Sequence, residues 1–78
     1  MREKKLMLVV AFPNTTNAMA MEKYCRQRGV GGRLISVPPS ITAGCGMAWC
    51  AEPEAEAAVK EVLSGQSIGT EGIYRILL

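Results

Sequence analysis

Histidine and aspartate are both absent from this chain of 78 residues. Without histidine, a Cys–His nucleophile pair cannot be built within the chain, and the usual nitrogen ligand of zinc is missing. Acidic side chains are limited to seven glutamates, which fall mostly on predicted helix faces. The sequence therefore favours a carrier or binding protein over an enzyme, and it predicts neither a metal site nor a cofactor.

Net charge, aromatic residues and long apolar runs are also scarce. A formal charge of +2 is too small to indicate a nucleic-acid surface. The four aromatic residues do not form an RNA-stacking pair with basic neighbours. The run LMLVVAF has seven residues, whereas a membrane span needs roughly 18. We therefore expect no nucleic-acid partner and no membrane partner.

Cysteine is present only three times, an odd and low number for a secreted disulfide framework. We therefore expect a cytoplasmic protein whose thiols stay reduced. The length fits one small domain, residues 1–78.

The chain contains four apolar runs that predict strands and two amphipathic segments that predict helices. Asn14 or Thr15 is expected to cap the first helix, and Gly29 to end it. Pro53 is expected in the first turn of the second helix. The predicted strands are Lys5–Phe12, Arg33–Pro39, Cys45–Ala51 and Gly72–Leu78, and the predicted helices are Thr16–Arg28 and Glu52–Gly65.

This β-α-β-β-α-β order predicts an α+β, ferredoxin-like sandwich, with a four-stranded antiparallel sheet and two helices on one face. The other face would then carry alternate residues of four apolar strands. Because such a face usually finds a partner, we expect a homo-oligomer.

Two of the cysteines are predicted to be structural. Cys25 falls on the apolar stripe of the first helix, with Met21. Cys50 lies an even number of positions from Gly46 and Ala48. The three are therefore expected on the same face of the strand, as a row of small residues. Cys45 and Cys50 lie about 16 Å apart on an extended strand and point to opposite faces. A disulfide needs Cα atoms within about 7 Å, so we do not expect these two to form one within the chain.

Cys45 has a different setting, at the junction of a loop and a strand, between Gly44 and Gly46. The glycines leave the sulfur uncrowded and let backbone N–H groups turn towards it, which would stabilise a thiolate. Cys45 is thus a candidate reactive thiol, with Gly44 and Gly46 as candidate binding residues. The alternative is a turn that uses glycines for its geometry and holds a cysteine by chance.

Several segments together resemble the selenium/sulfur (Se/S) carrier protein-like family of small bacterial domains. The resemblance runs from about Leu8 to Ile76. This chain differs from the usual pattern in Gly44, which replaces a serine, and in Trp49 and Cys50. The segments that carry the resemblance are AFPNTTNAMAMEKYC, RLISVPPSITAGCGMA, EPE and EGIYRI.

The resemblance implies that Cys45, in the Cys-Gly motif, holds sulfur or selenium and passes it on. It implies two partners, a cysteine desulfurase-type donor and an unknown acceptor protein. Two other interpretations remain open. One is a regulatory or ligand-binding oligomeric module with structural cysteines and Trp49 or Met47 at its interface. The other is a redox sensor in which Cys50 is a resolving thiol for Cys45 across an oligomer.

Overall fold

The computed structural model of the protein describes residues 4–41 and 46–78. The strands are β1 (Leu6–Ala11), β2 (Arg33–Ser36), β3 (Met47–Ala51) and β4 (Gly72–Leu77). The helices are α1 (Thr15–Arg28) and α2 (Glu56–Gly65), and a 3₁₀ turn, Pro53–Ala55, leads into α2. Pro53 therefore starts a short turn ahead of the helix, where the sequence predicted that it lies in the helix itself.

The strands form one sheet in the order β2-β3-β1-β4, and every neighbouring pair is antiparallel. Each βαβ unit skips one position, so that β3 lies between β1 and β2, and β1 lies between β3 and β4. This arrangement is the predicted ferredoxin-like fold.

Helix α1 is held at both ends by the residues that the sequence indicated. The side chain of Asn14 accepts a hydrogen bond of 2.8 Å from the backbone N–H of Asn17. Gly29 ends the helix in the left-handed region, at φ 70°. Asn17 then ties the helix start to the chain before β4, because its side-chain amide donates to the Gly69 carbonyl at 3.1 Å.

The main core lies between the helices and one face of the sheet. Trp49 is only 3% exposed within it, so this side chain is core and is not available to an interface. Burying an indole of this size is a large part of the hydrophobic stabilisation of a small domain. The other core side chains come from β1, β3, both helices and the chain next to them: Leu8, Val10, Phe12, Ala18, Met21, Cys25, Ala51, Val59, Val62, Leu63 and Ile68.

The opposite face of the sheet, called the open face below, is less open than the sequence predicted. Val9, Ala11 and Ala48 lie on it and are completely buried. The cover is Ile41, a residue of the chain between β2 and β3 that packs against these three side chains. The expected apolar surface for a partner is therefore partly closed by the chain itself.

Candidate functional site

The candidate thiol Cys45 and its neighbour Gly44 lie outside the described residues. The two ends of the segment that contains them are described. After the last ladder pair, Ser36 with Met47, the backbone N–H of Val37 donates to the Gly46 carbonyl at 3.0 Å. The segment between Val37 and Gly46, called the 37–46 loop below, is thus closed at its base by a hydrogen bond.

Gly46 has a backbone conformation that favours glycine, with φ 72°. A Cβ atom placed on this residue would meet no atom within 4 Å. The backbone angle therefore explains why glycine stands here, since no contact with the described residues beyond its chain neighbours would exclude a side chain. The role predicted for Gly46 depends on the position of Cys45, which lies outside the described residues, so it stays a prediction.

The first half of the 37–46 loop is fixed by a turn and by burial. The N–H of Ile41 donates to the Pro38 carbonyl at 2.9 Å, which closes a four-residue turn. The Ile41 side chain is 8% exposed and packs on the open face. Of the described residues on either side of 42–45, Ile41 is therefore held by packing on the sheet, and Gly46 by its hydrogen bond to Val37.

Cys25 lies where the sequence predicted, on the buried side of α1, with no exposed surface. Burial raises the pKa of its thiol, because the charged thiolate loses its hydration there. Since the thiolate is the nucleophile, this cysteine is unsuited to sulfur transfer.

Cys50 is also buried, at 5% exposure, and it lies opposite Arg33 of β2 and Val9 of β1. Burial again raises the pKa of the thiol. The Arg33 charge lowers this pKa and the Glu52 charge raises it, each by less than burial does. The sulfur is therefore held in its protonated form, and this environment is that of a structural cysteine.

The sequence model of one family, described as "Putative Se/S carrier protein-like", matches residues 7–75. The chain belongs to this Se/S carrier-like family. The match covers nearly the same residues as the resemblance drawn from the sequence, which is thereby confirmed. No curated protein and no solved structure matches the chain.

Two other findings on this Se/S carrier-like chain concern metal ligands and membrane-spanning helices. Within residues 4–41 and 46–78, no group of three or more Cys or Glu side chains is placed to hold a metal ion. In the same residues, no helix is long and apolar enough to cross a membrane.

Sequence reasoning missed the role of Ile41. A single apolar residue within a run of prolines, serines and threonines has no periodicity, so no pattern predicts where it packs. Its one signal is that it is the only large apolar side chain between Val37 and Met47. Sequence reasoning also missed the close approach of Gly32 to the Trp49 side chain. The buried indole N–H of Trp49 has no hydrogen-bond partner in the described part of the chain.

Proposed function

We propose that this protein is a sulfur or selenium carrier and that Cys45 holds the cargo. One observation carries the proposal: Cys25 and Cys50 are buried, and burial raises the pKa of both thiols. Neither therefore suits the role of the thiol that accepts and releases a carrier's cargo. Membership of the Se/S carrier-like family supports the carrier role as such. Cys45 is then the cysteine of this chain that fits it.

The loop base supports this assignment. Gly46 follows Cys45 directly, and a Cβ atom built on it would meet no described atom within 4 Å other than those of its chain neighbours. An incoming donor protein must bring its own sulfur within bonding distance of the acceptor, and a bulky neighbour would obstruct that approach. The hydrogen bond from Val37 to Gly46 fixes the chain one residue after the thiol, which limits the entropy lost when the two proteins dock.

The proposed transfer is an exchange between sulfur atoms that needs no outside oxidant. The Cys45 thiolate attacks the terminal sulfur of a persulfide on the donor's cysteine. A new S–S bond forms on Cys45, the donor's S–S bond breaks, and the donor cysteine leaves as a thiolate. Delivery reverses the roles: an acceptor nucleophile attacks the terminal sulfur, and Cys45 leaves as its thiolate. Selenium follows the same scheme with an S–Se bond.

The test is loading by a cysteine desulfurase supplied with L-cysteine, followed by intact-mass spectrometry under non-reducing conditions. We expect the wild-type chain to gain the mass of one sulfur atom and Cys45→Ala to gain none. Cys50→Ala is the matched control, since it removes a sulfur five positions away on the same stretch of chain, and it is expected to load like the wild type.

The proposal fails if Cys45→Ala loads as well as the wild type, or if no variant loads while the desulfurase is active. In the second case the interpretation as a regulatory or ligand-binding module with structural cysteines gains support. Repeating the experiment with selenocysteine as the substrate separates the two cargoes, because the added mass then identifies sulfur or selenium.

A further inference from the structure

The exposed apolar side chains of the protein are concentrated around β4. Among the described residues, six large apolar side chains are exposed, and Met19 on α1 is the one that lies elsewhere. The others belong to β4, to the residue after it, or to the strand it pairs with: Leu6, Ile73, Tyr74, Leu77 and Leu78. Apolar side chains clustered in this way mark an interaction surface.

Strand β4 also has a backbone edge that no described strand covers. It is the last strand of the sheet, and its only neighbour there is β1. Lys5 and Leu78 exchange two hydrogen bonds of 3.0 Å, and bonded pairs alternate along an antiparallel ladder. The backbone groups of Ile73, Arg75 and Leu77 therefore point away from β1, towards the free edge.

The two edges of the sheet differ in how they resist pairing. Strand β2, at the other edge, is four residues long and is followed by Pro38 and Pro39. Short length and proline are the usual means by which proteins block an edge strand. Strand β4 has six residues, contains no proline and no lysine, and carries one charge, Arg75. This edge is therefore the one that is open to another strand.

We propose that β4 pairs with β4 of a second copy of this chain, antiparallel, around a two-fold axis that passes beside Arg75. In this register the whole strand is paired. Ile73 lies opposite Leu77 of the second copy, and Tyr74 lies opposite Ile76 of the second copy. Each of these apolar pairs occurs twice, and together they cover the exposed side chains of β4.

The two Arg75 side chains are the one unfavourable pair in this register, and each already has a counter-charge. The Arg75 guanidinium binds the Glu56 carboxylate of α2 in its own chain. This ion pair reduces the repulsion that two like charges opposite each other would otherwise cause. Moving the axis to Ile73 would avoid that repulsion, but would leave half of β4 without a partner.

The product is a dimer with one continuous eight-stranded sheet. It differs from the assembly that the sequence indicated, because its interface is the β4 edge and not the open face. It is independent of the proposed role of Cys45, which lies outside β4.

The first experiment is sedimentation velocity over a range of protein concentrations, with Leu77→Lys compared with Met19→Lys. The two side chains are equally exposed, at 59% each, so both variants add a charge at a site of the same accessibility. We expect a concentration-dependent dimer for the wild type and for Met19→Lys. For Leu77→Lys we expect a dissociation constant at least about tenfold higher, because the substitution breaks two cross-strand pairs.

The register is tested by cross-linking in a Cys45→Ser background. Ile73 and the facing Leu77 form a hydrogen-bonded pair, with Cα atoms about 5.5 Å apart, which a disulfide can span. Mixing Ile73→Cys with Leu77→Cys should give a mixed disulfide dimer, whereas neither variant alone should cross-link. A monomeric wild type at every concentration would overturn the proposal, and so would a dimer that Leu77→Lys leaves unchanged or cross-links that form only within one variant.

Discussion

Replacing Gly32 by alanine should destabilise the protein strongly, although Gly32 lies at the surface. It precedes β2 with φ 136°, a conformation that residues with a Cβ atom rarely adopt. An added Cβ would lie 2.5 Å from Nε1 of Trp49 and 2.7 Å from the backbone oxygen of Cys50. Neither neighbour can move freely, because the indole is in the core and the oxygen belongs to β3.

Two costs add in this variant. A non-glycine residue in such a backbone region costs roughly 1–3 kcal/mol, and forcing an extra carbon against packed atoms costs roughly 1–3 kcal/mol. We therefore expect a loss of about 2–6 kcal/mol in the free energy of unfolding. A chain of this length has a total of only about 4–12 kcal/mol, so the variant should lose a large share of its stability.

Gly31→Ala is the control, one residue away. A Cβ on Gly31 would meet nothing within 4 Å, and φ at this residue is not positive. We expect its free energy of unfolding to stay within about 1 kcal/mol of the wild type, in the stabilising direction, because alanine restricts the unfolded chain.

The assay is urea unfolding followed by the fluorescence of Trp49, the only tryptophan, with far-ultraviolet circular dichroism as a second probe. The two probes should give one transition in each variant if unfolding is two-state. The reasoning is refuted if Gly32→Ala loses less than about 1 kcal/mol, or if Gly31→Ala loses as much as Gly32→Ala.

Two further predictions concern the helix cap and the buried thiols. Asn14→Ala should lower the free energy of unfolding by about 0.5–2 kcal/mol in urea titration, because the N–H of Asn17 loses its acceptor; an unchanged midpoint would contradict this. Burial raises the pKa of the Cys25 and Cys50 thiols, so the unfolded thiols, near about 8.5, lose their protons first as pH rises. The contribution of the buried thiols to stability is then full below that pH and is lost as the pH rises above it. Over this rise in pH the urea midpoint should fall less in Cys25→Ala than in the wild type, and equal losses would count against this account.

The sequence was sufficient for the order of the elements and for the ends of α1. Apolar runs of strand length, a capping asparagine at position 14 and a glycine at position 29 are local signals that act within a few residues. The strand ends were less predictable: β1 was expected over Lys5–Phe12 and forms over Leu6–Ala11. Apolar residues continue past the last ladder bond, so composition alone does not show where pairing stops.

What the sequence did not reveal depends on contacts between distant residues. Val9 is buried on the open face in a cluster that includes Ile41, whose path through a loop has no periodic pattern. The run GIYRILL predicts a strand, but it does not predict that Ile73, Tyr74 and Leu77 are exposed because β4 is the edge of the sheet. An apolar strand carries no local signal of whether it will have one neighbour or two.

The strand order also determines when the protein can fold during its synthesis. Strand β1 leaves the ribosome first, but Leu8 pairs with Ala51 on one side and with Arg75 on the other. At roughly 5–20 residues per second, the nascent chain carries an unpaired and wholly apolar strand for several seconds. Its first elements can be α1 and the β2–β3 hairpin, whereas the centre of the sheet is completed only after β4 has been translated. A ribosome that stalls before β4 thus presents a chain whose central strand lacks its partner on one side, which is a substrate for chaperones and for aggregation.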